Sequence, residues 1–413
     1  MPYEILQEID PLTTVIKVIG VGGGGGNAVE HMIANGAEGI EFIAANTDHQ
    51  ALQRSHAHVN IQLGSTGLGA GAKPEVGAAA ANEKREQIAE AIRGANLLFI
   101  TAGMGGGTGT GAAPVIAEVA KELGILTVGV VTKPFSFEGS RRMRVAEQGI
   151  ENLKQHVDSI IVILNEKLES ECPKGATMKE CFAMSNEVLY KACVGIAEFI
   201  HLHGVINVDF EDVRTVMSER GTAIIGLATA SGPDRTRVAA ERAITSPLLE
   251  GSNLQGARGL LVYFRGGESM TLDEVREAMS TLNTFVHRSA TVIFGMAIDE
   301  EMGDDVRVTL VATGLDHPLD PTETRPGRTN AQFLLNADAE EQSADTPTIR
   351  IPSYLGGSGT TFAQPAPAPS VETPAAATPE AEAPAASQPS APSVEEPKDD
   401  GVPSFSIPAY LRK

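Results

Sequence analysis

The chain has 413 residues, 53 of them acidic and 32 basic, for a formal net charge of −21. That length leaves room for two or three domains, and the acidic balance argues against nucleic-acid binding and against direct adhesion to anionic lipid. No apolar run approaches the roughly 20 residues a membrane span needs, and Met1-Pro2-Tyr3-Glu4 lacks the basic and apolar region of a secretory leader, so a cytosolic protein without membrane insertion is expected.

Thr14-Val15-Ile16-Lys17-Val18-Ile19 reads as a buried parallel strand. It opens a series of strand-like segments, Val15–Val21, Glu41–Ala45, Leu97–Ala102, Leu126–Thr132 and Ser159–Leu164. These alternate with helix-like stretches, the pattern of a parallel α/β sheet. The first strand runs into Gly20-Val21-Gly22-Gly23-Gly24-Gly25-Gly26-Asn27, with a helix expected from about Ala28. Gly67-Leu68-Gly69-Ala70-Gly71-Ala72 is a second small-residue loop. Gly103-Met104-Gly105-Gly106-Gly107-Thr108-Gly109-Thr110-Gly111 is a third, between Asn96–Ile100 and a helical run from Ala112 to Leu123. Glycine lets the backbone approach an anion, a helix N-terminus aims N–H groups at it, and Thr108 and Thr110 add hydroxyl donors. Three such loops suggest one nucleotide held from several sides. A P-loop would carry G-K-[ST], which does not occur here.

A long helix is expected over Met178–His201, its apolar positions suited to burial on several sides. Asp209 and Asp212, three apart at the start of a further helix, share one face. By themselves they read equally as N-terminal helix charge or as paired catalytic carboxylates. Strands at Ala223–Ala230, Gly259–Phe264, Thr291–Ile298 and Val306–Ala312, with helices at Arg235–Ser246 and Leu272–Val286, make a second α/β unit. Cys172, Cys181 and Cys193 form neither a disulfide framework nor a C-x-x-C pair, and His201-Leu202-His203 has no partner cluster, so no protein-held metal is read. Beyond about His317 the composition shifts to Ala, Pro, Ser, Thr, Gln and Glu, too poor in large apolar residues for a core, and disorder is expected. Within it Ile351-Pro352-Ser353-Tyr354-Leu355 recurs as Ile407-Pro408-Ala409-Tyr410-Leu411, a short-linear-motif signal.

Gly105 to Gly111 carries the GGGTGTG signature, and with the loop ending in Asn27, Asn46-Thr47-Asp48, Gly69 to Ala72, Lys133 to Gly139 and Asn207 to Asp212 in order, the chain resembles the tubulin/FtsZ family of GTPases. The resemblance covers roughly residues 12 to 316 and a short C-terminal peptide. It implies a tubulin-like α/β fold. A Rossmann-like GTP-binding domain (12–176) is followed by a central helix and catalytic loop (177–220), a smaller α/β domain (221–316), a linker (317–400) and an adaptor-binding peptide (401–413). It also implies a GTP-dependent, filament-forming GTPase of the bacterial division ring, at mid-cell on the inner face of the membrane. GTP, GDP and Mg²⁺ would be its ligands, and its partners would be head-to-tail copies of itself, membrane-tethering adaptors and division regulators engaging residues 405–413.

Residue by residue, the resemblance assigns Gly23, Gly24, Gly25, Gly26 and Asn27 with Gly107, Thr108 and Gly109 to the phosphates, and Gly71 and Ala72 to the γ-phosphate. Glu138 would bond the ribose, Arg142 would sit near phosphate or ribose, and Phe182 would stack near the guanine. Asn165 and Glu187 would read the base. Asp209 and Asp212 would orient the attacking water on the nucleotide of the next subunit. The family has Asn-Asp where this chain has Asn165-Glu166 and Asn186-Glu187, and a proline where it has Leu164. A filament protein with weak hydrolysis is therefore one alternative. A Rossmann dehydrogenase using Gly20, Gly22, Gly25 and Asp48 is another, though it leaves the third glycine loop and the two aspartates unexplained.

Overall fold

A strand buried on both faces must be apolar at odd and even positions alike, and β1 (Ile16–Val21) is built this way. Ile16 and Val18 enter one core, while Ile19 and Val21 enter another on the opposite face. The same split recurs in β2 (Ile40–Asn46), with Phe42 and Ile43 on opposite faces, and in β4 (Leu97–Gly103), where Leu97 and Phe99 oppose Leu98 and Ile100. The computed structural model describes residues 14–316, apart from 173–174, 203, 246–255 and 288.

In chain order, β1 leads to α1 (Gly22–Ala34), β2, α2 (His49–Gln53) and β3 (Val59–Gln62). Then come α3 (Pro74–Asn82), α4 (Arg85–Ile92), β4, α5 (Thr108–Glu122), β5 (Leu126–Lys133), α6 (Ser140–Lys154) and β6 (Ser159–Leu164). After α7 (Asn165–Glu171), α8 (Met178–His201) and α9 (Phe210–Met217), the chain forms β7 (Gly221–Ser231), α10 (Arg235–Ile244), β8 (Gly259–Gly266), α11 (Leu272–Asn283), β9 (Thr291–Ile298) and β10 (Asp305–Thr313). The strands form one mixed sheet in the order β3-β2-β1-β4-β5-β6-β7-β10-β8-β9. Its first six strands have the doubly wound order 3-2-1-4-5-6, whose ligand sites lie beyond the carboxyl strand ends.

The short strand β3 and helices α2 to α4 were not legible as separate elements, because each is brief and weakly periodic. The α8 boundaries match the expected helix, and the reason is local. Thr177 caps the helix by accepting from Glu180 N, while Glu180 accepts from Thr177 N at 2.6 Å. Helices α3 to α6 cover one sheet face, and α1 and α8 the other. A third core holds α10 and α11 against β7, β8 and β10. The two expected α/β units share backbone hydrogen bonds through β6 and β7, where Ser159, Ile160 and Ile161 pair with Gly221, Thr222 and Ala223. The tail, with linker 317–400, both I-P-x-Y-L copies and peptide 401–413, lies outside the described residues, as do His203 and Ser246.

Candidate functional site

Two of the glycine runs are helix N-termini rather than free turns. α1 begins at Gly22, not near Ala28, and α5 begins at Thr108, not at Ala112. Glycine costs about 1 kcal/mol per helical position relative to alanine, which is why sequence pattern puts both starts later. Close packing overrides that cost. A Cβ on Gly25 would strike the Thr101 carbonyl oxygen, and one on Gly20 the Gly25 carbonyl.

Neither helix has a side-chain cap. Val21 and Gly107 occupy the N-cap positions without a side-chain hydrogen bond, and neither first turn holds an acid. The leading N–H groups and the positive end of each dipole are left for an anion. These two N-termini meet. Gly22, at φ +71°, lies so close to the third loop that a Cβ would stand 2.9 Å from Gly109 N, and one on Gly24 would stand 3.0 Å from Gly103 Cα. Gly23 and Gly26 face open space. The loop at residues 67–72 closes the third side: a Cβ on Gly107 would stand 2.8 Å from both Ala70 Cβ and Lys73 N. Ala72 holds a left-handed φ of 56°, an unfavourable conformation for a residue with a Cβ and one that clusters at ligand-binding loops. Thr108 Oγ1 lies 2.6 Å from Thr47 Oγ1, and the buried Thr110 hydroxyl accepts from Gly105 N at 2.9 Å.

The turn before α6 brings in Glu138 and Arg142. Glu138 accepts from Phe135 N at 2.9 Å and pairs with the Arg142 guanidinium at 3.1 Å. The Arg142 stem and carbonyl lie against Gly105, 2.7 Å from where its Cβ would be. Both side chains thus stand beside the third glycine loop. Phe182 is exposed on α8 and meets Phe135 edge-to-face at 5.3 Å. Asn165 is buried and accepts from the Ser185 hydroxyl at 2.9 Å. Glu187 lies 2.9 Å from His31 Nε2 and 3.2 Å from Lys191 Nζ. Burial raises the Glu187 carboxyl, but the hydrogen bonds from His31 and Lys191 outweigh it and hold the group below its usual value. Glu187 and His31 line an open pocket of about 600 Å³, with Glu180, Ala183 and Met184 on the same helix as Glu187.

His31 was not picked out from the sequence, and Thr47 entered only as part of the motif Asn46-Thr47-Asp48, with no role given. His31 is 156 residues from Glu187, and no spacing rule connects them. Asp48 caps α2, accepting from Gln50 N at 2.9 Å. Asp209 and Asp212 form a capping box on α9, with Asp212 N donating to Asp209 at 2.8 Å. The structure does not bring this pair to the glycine loops. The preceding helix α8 ends at His201, whose Nε2 lies 3.2 Å from Thr14 O at the amino end of β1, whereas the glycine loops follow the carboxyl ends of β1 and β4.

This sheet order and three-sided glycine cradle define a tubulin-like nucleotide-binding protein. Residues 15–173 match the Tubulin/FtsZ family, GTPase domain, and residues 221–316 match the FtsZ family, C-terminal domain. Cell division protein FtsZ of Pseudomonas aeruginosa is 50% identical over 374 residues, covering 88% of this chain and 94% of that protein. The Azotobacter vinelandii protein of the same name is 56% identical over 316 residues, covering 76% of this chain and 80% of that one. Among solved structures, an empty FtsZ dimer from M. jannaschii superposes with a TM-score of 0.69 at 44% identity, covering 74% of this chain and 90% of that chain. The fold is shared with CetZ2 from Haloferax volcanii, solved as a GTPγS-bound protofilament, at 21% identity and a TM-score of 0.64. The chain belongs to the FtsZ family, which leaves the dehydrogenase reading without support.

Proposed function

We propose that this chain is a GTP-dependent, filament-forming GTPase of cell division whose hydrolytic site is completed only where two copies meet head to tail. Gly23 to Asn27 and Gly107 to Gly109 would hold the phosphates on the two uncapped N-termini, with Gly71 and Ala72 at the γ-phosphate. Glu138 and Arg142 would take the ribose side, and Phe182, Asn165 and Glu187 the guanine. The Glu187 carboxylate, kept ionised by His31 and Lys191, suits the acceptor role that guanine N1–H and N2–H require. Asp209 and Asp212 of one copy would orient and polarise the attacking water on the nucleotide of the next.

One observation carries this reading. The cradle lies at the carboxyl edge of the parallel strands, while α8 runs to His201, 3.2 Å from Thr14 O at their amino edge and shortly before Asp209 in the chain. This course of α8 supports a carboxylate pair set apart from the anion site of its own chain. The described residues hold no group of three or more His, Cys, Asp or Glu able to cage a cation, so Mg²⁺ would enter with the nucleotide phosphates. The Gln364–Pro397 composition suits a tether, and residues 405–413 a docking peptide for a membrane-bound adaptor at mid-cell. The test is phosphate release from GTP against protein concentration. Release per subunit should rise from near zero above an assembly threshold that sedimentation reports independently. Constant specific activity down to high dilution would overturn the shared site.

A further inference from the structure

The connection between α7 and α8 holds three sulfur atoms in contact. Cys172 Sγ lies 3.1 Å from Cys181 Sγ and 3.4 Å from Met184 Sδ. Cys172 directly follows α7, and Cys181 is in the first turn of α8. Both are partly exposed, so a small oxidant in solution reaches them. Cys193, two turns beyond Met184 on α8, is the internal contrast. It is fully buried and burial pushes its thiol far up, so the reactive thiolate is suppressed.

We propose that Cys172 and Cys181 form a reversible regulatory disulfide, with a peroxide or a low-molecular-weight disulfide as oxidant. With hydrogen peroxide, one thiolate attacks the O–O bond to give a sulfenic acid and water. The second thiol then displaces the sulfenic oxygen as another water, so two S–H bonds are lost, one S–S bond forms and the peroxide is reduced. Bond formation draws the sulfurs from 3.1 Å to about 2.05 Å. That movement of about 1 Å pulls on the α8 turn carrying Cys181, Phe182 and Met184. Met184 lines the pocket with Glu187 and His31, and Phe182 rests on Phe135. Closing the bond displaces this wall and weakens nucleotide binding. This second part rests on the guanine-pocket reading given above.

The test uses the full chain treated with hydrogen peroxide and, separately, with oxidised glutathione. Thiol titration under denaturing conditions should fall from three to one, and non-reducing peptide mapping should join Cys172 to Cys181, reversed by dithiothreitol. Cys172→Ser and Cys181→Ser should each abolish the joined peptide, while Cys193→Ala leaves it. Persistence of three titratable thiols, or mapping to any other pair, overturns the proposal. A fluorescent GDP analogue then reads the consequence. Affinity should fall about 5-fold or more on oxidation, the low end of coupling between linked sites, and stay unchanged in Cys181→Ser. Equal or tighter binding by the oxidised protein overturns the coupling. No analogue binding by either form refutes the pocket reading and leaves the disulfide standing on the mapping.

Discussion

At the scale of single residues, two adjacent glycines make opposite demands. Gly107 packs against Ala70 and the backbone of Ala72 and Lys73, whereas Gly106 has nothing within 4 Å of its would-be Cβ. Overpacking a tight contact typically costs about 1–3 kcal/mol. Gly107→Ala should therefore lower thermal stability by that order and severely weaken GDP binding, because the displaced loop carries Gly71 and Ala72. Gly106→Ala should leave the melting temperature almost unchanged. Equal effects in both variants, read by thermal unfolding and GDP titration, would mean that the packing at Gly107 is not what shapes the cradle.

At the scale of elements, helix ends and helix pairs carry the next two predictions. Asp209 caps α9 whether or not it acts on water, so capping and chemistry must be separated. Asn caps about as well as Asp, while Ala at an N-cap costs about 1 kcal/mol. Asp209→Asn should keep the stability of α9 yet reduce GTP turnover about 10²–10⁴-fold, the usual loss for a positioned catalytic group. Turnover close to the parent's in assembled Asp209→Asn would confine this residue to capping. Glu274 supplies the second case. It caps α11 through Thr271 N at 2.8 Å and pairs with the buried Arg235 of α10 at 3.0 Å. Burial raises its carboxyl, but the bonds from Thr271 and Arg235 bring it below its ordinary 4.5. A depressed carboxyl stabilises the fold above the unfolded value and loses that contribution as pH falls through the folded value. Glu274→Gln should cost about 1–3 kcal/mol at neutral pH, and the gap to the parent should close as pH drops below 4.5. Denaturant titrations at pH 7 and near pH 3 check the sign, and a gap that widens in acid contradicts it.

At the scale of the whole molecule, the proposed attachment to a membrane would run through the tail and a partner. Among the described residues no helix is long and apolar enough to cross a membrane. Ile407, Tyr410 and Leu411 are apolar anchors in a polar tail, followed by Arg412 and Lys413. Such a segment would order on a partner's groove and bury those three side chains. Deleting Phe405–Lys413 should leave GTP-dependent sedimentation unchanged and abolish capture by a membrane-tethering adaptor on vesicles, with any residual capture mapping to Ile351–Leu355. Full capture of a chain lacking both copies would exclude the tail as the docking element.

Much of this protein was legible from local pattern. Apolar runs marked β1, β4, β5 and β6, and the apolar positions of Met178–His201 marked α8. The GGGTGTG signature pointed to the nucleotide because glycine, hydroxyl and helix start lie within nine residues. What sequence could not decide was every relation set by packing at long range. That α1 starts at Gly22 depends on contacts with Thr101 and Gly109 that override glycine's poor helix propensity. That the two α/β units share one sheet depends on three pairs between β6 and β7. That Glu187 stands beside His31 depends on α1 and α8 packing on the same sheet face. That α8 ends at the amino edge of the sheet, with His201 against Thr14, likewise depends on packing that no short motif records. Local free energies are written in neighbouring residues, whereas these arrangements come from burying two faces of one sheet at once, and that is a property of the folded chain alone.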